Sequence, residues 1–177
     1  MGFARPRARK PGWMETVQET FEGYSDTEKP LVSYAAFMAV YGAALAGALA
    51  DARASGRPAP RFSLGDLALY GAATHKLSRL LAKSKVAAPV RAPFTEYEGR
   101  SGPAEVEEHP RGEGTRRALG ELLLCPYCLD QWIGGAFVAG SLFAPKTTRV
   151  VAGLFATVGV ADFLQIAYRL GQQRLED

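Results

Sequence analysis

The stretch Leu119-Gly-Glu-Leu-Leu-Leu-Cys-Pro-Tyr-Cys-Leu-Asp-Gln-Trp-Ile-Gly-Gly-Ala-Phe-Val-Ala-Gly-Ser-Leu-Phe-Ala144 contains both cysteines of the chain, a helix start and a long apolar run. Pro126 has its φ pre-set and no N–H to lose, so it fits the first position of a helix. Cys125, pushed toward extended backbone by the proline after it, falls at the cap. The helix is expected over residues 127–144. Those 18 residues rise about 27 Å at ~1.5 Å each, close to the hydrocarbon thickness of a bilayer, and Asp130 is the one charge among them. The stretch therefore predicts a membrane span with a cysteine pair at its mouth.

Working outward, residues 31–50 carry no charge in 20 positions and make the clearest span. Ala35, Ala39, Ala43 and Gly47 recur every fourth residue, a small-residue ridge on which another helix backbone can lie closely. The tripeptide Ala48-Leu49-Ala50 looks like a signal-peptidase site, but the apolar run is long for a signal peptide and an uncleaved anchor is expected. Ser63 and Asp66 start a third helix, residues 64–82, which bears His75, Lys76 and Arg79 on one side. A cationic stripe suits either a surface helix or a span whose stripe faces protein or water, and a span is expected. Residues 150–168 form the fourth, uncharged until Asp162 and anchored by Tyr168 and Arg169. Between spans three and four, Pro145 is expected to end the helix and Lys146 to Arg149 to make a tight turn.

The rest is polar. Residues 1–30 are expected as a cytoplasmic tail in which Trp13, Val17, Phe21 and Tyr24 fall at helical spacing, a short amphipathic helix. Residues 83–118 are expected as a polar cytoplasmic loop: Ala87 to Phe94 is broken by prolines, and Thr95 to Gly114 is rich in Glu, Gly and Pro. The sequence thus predicts an all-α polytopic membrane protein of about four transmembrane helices, with residues 31–177 as one membrane domain. A mean hydropathy of −0.06 averages apolar runs with very polar connectors and does not oppose this.

Charge sets a direction. Lys and Arg flanking the spans number 14 on the side of the two termini and the 83–118 loop, against 5 on the other. By the positive-inside rule both termini are cytoplasmic, and so is the cysteine pair. With Lys+Arg 21 against Asp+Glu 18, no nucleic-acid partner is implied. No cofactor and no metal are expected, since His75 and His109 are too few for a cluster without help.

Two groups of residues carry the candidate chemistry. Cys125 and Cys128, at a helix start, are a pair whose first thiol the backbone N–H groups and dipole acidify, so thiol–disulfide exchange, metal binding and a reduced structural pair all remain open. His75, Lys76, Arg79, Asp130 and Asp162 fall at one depth near the cytoplasmic face, where opposite charges are expected to pair and Arg79 to couple with Asp130 or Asp162. This second group suits an ion network, an ion pathway or a lipid-headgroup pocket.

The runs Thr74-His-Lys-Leu-Ser-Arg-Leu-Leu81, Pro89-Val-Arg-Ala-Pro-Phe94 and Arg117-Ala-Leu-Gly-Glu-Leu-Leu-Leu-Cys-Pro-Tyr-Cys-Leu129 with Trp132 resemble domain-of-unknown-function family 1360, small bacterial membrane proteins. By that resemblance the recurring positions are His75, Arg79, Arg91, Pro93, Phe94, Gly120, Glu121, Cys125, Pro126, Cys128 and Trp132. Asp130 departs from the pattern, where a small residue is expected. The resemblance implies no activity, cofactor or substrate, and adds Arg91, Glu121 and Trp132 to the binding candidates.

The function expected is binding rather than catalysis: an accessory subunit or scaffold in the bacterial inner membrane, partnered by the bilayer and by another membrane protein. The alternative is a membrane thiol oxidoreductase using Cys125 and Cys128.

Overall fold

The computed structural model describes residues 19–21, 23–25 and 29–176. The amphipathic helix expected around Trp13 to Tyr24 lies mostly outside the described residues.

Helix α1, Leu31–Ala54, follows from an uncharged run rich in alanine and leucine, and it ends where Ser55 and Gly56, the latter at φ 64°, turn the chain. Helix α2, Leu64–Lys83, opens on a reciprocal cap: Ser63 Oγ accepts from the Asp66 N–H at 3.1 Å and Asp66 Oδ2 accepts from the Ser63 N–H at 3.0 Å. After a 3₁₀ turn, Lys85–Ala87, comes the single helical turn α3, Ala88–Arg91, with Pro89 inside its first turn, where its missing N–H costs little. Helices α4, Gly114–Leu124, and α5, Pro126–Phe143, meet at Cys125, whose extended φ of −99° and ψ of 103° break the helix and turn it by 84°. Helix α6 runs Pro145–Glu176.

Where an all-α fold was expected, a two-stranded antiparallel sheet appears inside the 83–118 segment: β1, Thr95–Gly102, pairs with β2, Glu105–Pro110, Thr95 opposite Pro110 and Gly102 opposite Glu105. The acidic, glycine-bearing composition concealed it. Val106 and Glu108 alternate inward along β2, the period of a strand with one covered face, and both are buried. The turn at Pro103 and Ala104 is tied to α2's end by the Lys85 N–H on the Ala104 carbonyl at 2.9 Å. Two smaller expectations change as well. Residues 88–91, inside the expected loop, form a helical turn, and Lys146 to Arg149 form the first turn of α6, because Pro145 is acceptable where helical N–H groups have no partner anyway.

The core lies between α2, α5 and α6, centred on Ala73, Ala82, Leu129, Ile133, Phe137, Ala152 and Ala156. Alanines and Gly159 let α2 and α6 approach closely: a Cβ added at Gly159 would sit 3.3 Å from the Lys76 Cβ. Helix α1 packs on α4 and α5. The Tyr41 ring lies against Gly135 and meets Trp132 edge-to-face at 5.4 Å.

Two helices, α1 and α6, are long and apolar enough to cross a membrane, and α4 with α5 adds a third if the bent pair counts as one span. Helix α2 falls short, because His75, Lys76, Arg79 and Lys83 lower its hydropathy. On length and composition alone, two to three of the expected four spans are supported.

Candidate functional site

Three clusters gather at the end of the bundle where α2 finishes and α5 begins. The first is the elbow between α4 and α5. Cys125 caps α5 as its position before Pro126 dictates, its Sγ accepting the Cys128 N–H at 3.2 Å. The two sulfurs are joined as a disulfide with Cα atoms 5.2 Å apart, whereas a reduced structural pair was among the readings the sequence left open. Cys128 is exposed while Cys125 is half-buried in the crook of the bend. Glu121, one turn before the elbow, accepts from the Tyr34 hydroxyl of α1 and from Arg117 Nε at 3.1 Å. Together with Trp132 on Tyr41, this makes the elbow the seat of α1.

The second cluster is buried. Arg91 has no exposed surface, and its guanidinium is held by Glu108 through Nε at 2.6 Å and Nη2 at 3.2 Å, while Nη1 donates to the carbonyls of Leu81 at 2.7 Å and Ser84 at 3.1 Å. Thr95 Oγ1 adds a hydrogen bond to Glu108 Oε2 at 3.3 Å. One fork thus joins the end of α2, the α3 turn and both strands. Beside it, Arg116 donates to the Pro93 carbonyl at 2.7 Å, and Gly120 lets α4 lie against Phe94 and Pro110.

The third cluster lines a groove of about 550 Å³ between α2, the hairpin turn and α6. Lys76 pairs with Asp162 at 2.5 Å and Arg79 with Glu105 at 2.9 Å. The partner expected for Arg79, Asp130 or Asp162, is therefore replaced: Arg79 sits one turn nearer the hairpin and reaches its acidic strand, which the sequence reading had taken for a loop. His75 stacks on Phe163 with ring centroids 5.8 Å apart. Arg169 also lines the groove, and its guanidinium has no hydrogen-bond or ion-pair partner among the described residues. Asp130 lines a second cavity, of about 480 Å³, walled by Phe62, Tyr70 and Phe137 and reached also by His75, and its Oδ1 is buried without a hydrogen-bond partner among the described residues. No group of three His, Cys, Asp or Glu side chains among the described residues is placed to hold a metal.

Of the residues singled out by sequence, the structure brings together His75, Lys76, Arg79 and Asp162, and separately Glu121, Cys125, Cys128 and Trp132. It leaves Arg91 apart from both, and Asp130 shares a cavity with His75 but not with Lys76, Arg79 or Asp162. Glu105, Glu108, Tyr34 and Tyr41 were missed. Glu108 had a signal in the alternation of β2, whereas the tyrosines on α1 had none beyond their helical placement.

The sequence pattern of the family described as a protein of unknown function (DUF1360) matches residues 69–168. The chain belongs to this family. The DUF1360 match takes in most of α2, the hairpin, α4, α5 and most of α6, and leaves outside it α1, with Tyr34 and Tyr41, and Arg169 of the groove. The sporulation protein YjcA of Bacillus subtilis (strain 168) is 28% identical over 102 residues, which are 56% of this chain and 86% of that protein. No solved structure matches. The apolar helices suit association with a membrane, and the relative is bacterial.

Proposed function

We propose that this DUF1360 chain is a four-span membrane protein that acts by binding, as an accessory subunit or scaffold of a larger assembly in the bacterial cytoplasmic membrane, with both termini cytoplasmic. Helix α2 lies between α5 and α6 and its 20 residues rise about 30 Å, so it spans with its neighbours while its cationic side is matched by Asp162 and Glu105. The observation that carries the binding role is the free side of α1. None of its apolar window is buried, and Ala35, Ala39, Ala43 and Gly47 are all exposed. Such a ridge suits a second membrane helix, since close backbone approach is what holds helices together where lipid is as apolar as leucine.

The test is purification in mild detergent from native membranes. Wild type should carry a stoichiometric membrane subunit, and Ala43→Trp, which fills the ridge without touching the core, should lose it. A chain that emerges alone, or a partner retained by Ala43→Trp, overturns the binding surface.

The Cys125 cap favours a second reading, thiol–disulfide exchange. In the reduced protein a Cys125 thiolate would accept the Cys128 N–H and attack a partner disulfide, releasing one partner thiolate. Cys128 would then displace the partner's other sulfur and close the Cys125–Cys128 disulfide. In single-cysteine variants Cys125 should be alkylated at lower pH than Cys128, and Cys128→Ser should trap a mixed disulfide with the partner. Equal rates with the pH dependence of an ordinary thiol, and no trapped adduct, remove this reading.

A further inference from the structure

We infer that the groove between α2, the hairpin turn and α6 is a binding site for the phosphate headgroup of an anionic phospholipid. Its two ends differ in chemistry. Phe163 and Ile166 lie along one wall, both exposed on α6, where acyl chains can rest on them. Arg169 follows Ile166 by three residues, about one turn further toward the polar end of the helix, and lines the same groove as Arg79 and Glu105.

The charges of the groove do not cancel. Lys76 is committed to Asp162, and Arg79 gives only Nη2 to Glu105, leaving its Nε and Nη1 without a partner among the described residues. Arg169 brings a whole guanidinium that nothing in the described chain satisfies. Three cations therefore stand against two carboxylates in a recess next to an apolar helix face. A guanidinium fork matches a phosphate oxygen pair in geometry as well as charge, and it is worth more at an interface than in open water. The surplus charge selects a headgroup with net negative charge over a zwitterionic one, whose choline would meet no unpaired carboxylate here. The hairpin turn, fastened through Ala104 to Lys85 in the 3₁₀ turn after α2, closes the polar end and fixes the depth at which the phosphate is met.

This inference rests on the membrane placement proposed above but not on a partner for α1, which packs on α4 and α5 and contributes no residue to the groove. The experiment is native mass spectrometry of the full chain released from phosphatidylcholine discs made with and without phosphatidylglycerol. Wild type should retain one phosphatidylglycerol about tenfold in preference to phosphatidylcholine, and Arg169→Ala should abolish most of that preference. Arg169 is exposed on the last turns of α6, so its loss leaves the fold intact. Arg61→Ala, which removes a positive charge from the α1–α2 connection, should leave the preference unchanged. Equal retention of the two lipids, an unaltered preference in Arg169→Ala, or displacement of the lipid by inorganic phosphate would each overturn the inference.

Discussion

Glu108→Ala should lower the stability of the folded chain by about 3–5 kcal/mol, the largest loss expected from any single side chain here. The Arg91 guanidinium has no exposed surface, and Glu108 supplies the one carboxylate it touches among the described residues. Removing that carboxylate leaves a charge out of water with only the carbonyls of Leu81 and Ser84 to oppose it. The double variant Arg91→Met with Glu108→Leu should recover much of the loss, because a buried pair replaced by apolar groups of similar volume leaves no stranded charge. Thermal unfolding in one detergent, followed for the two single variants and the pair, measures the coupling. A Glu108→Ala cost below about 1 kcal/mol would mean that the network does not hold the hairpin to α2.

Gly120→Ala should cost about 1–3 kcal/mol and loosen the hairpin from α4. A Cβ at this position would lie 2.5 Å from the Phe94 carbonyl oxygen and 3.0 Å from the Pro110 Cβ. One of these is main chain that cannot swing aside, so α4 or the loop must shift as a body. Gly71→Ala is the matched control: it sits inside α2 with nothing within 4 Å of the new carbon, and replacing a helical glycine there should stabilise by up to about 1 kcal/mol. Opposite signs for the two changes in one unfolding assay support the packing described. Two small losses of similar size would contradict it.

Pattern and fold agree best where the signal is local. Pro126 sets the start of α5 and Cys125 its cap, as proline chemistry requires, and the uncharged run of α1 becomes a helix of 24 residues. What was not legible is what depends on distant partners. The 83–118 segment reads as a solvated loop because its strands are acidic, yet Glu105 and Glu108 are there to meet Arg79 and Arg91 on other elements. The small-residue ridge that stands out in sequence, on α1, is left exposed. The one that packs, Ala152, Ala156 and Gly159 against α2, was hidden in a run that looked merely apolar. Arg79 illustrates the limit on pairing: equal depth made Asp162 a reasonable partner, but Lys76, three residues earlier on the same helix side, reaches it first.

The elbow and all of the groove except Arg169 fall within the part of the chain that matches DUF1360, whereas α1 lies outside it. The proposed division of labour follows from this: the α2–α6 body holds the polar cap and the lipid, and α1, seated through Tyr34 and Tyr41, presents a helix face to a partner.

The measurement that tests the central claim most directly is the sidedness of three exposed positions. Ser55→Cys, Thr147→Cys and Ser101→Cys are made singly in a background carrying Cys125→Ser and Cys128→Ser, and intact cells are treated with an impermeant maleimide. Ser55 lies at the far end of α1 and Thr147 in the first turn of α6, while Ser101 lies on β1 with the hairpin. The first two should be labelled from outside and the third only after the membrane is opened. Outside labelling at Ser101, or equal labelling at all three, would contradict a four-span bundle with its hairpin, its cysteine pair and both termini in the cytoplasm.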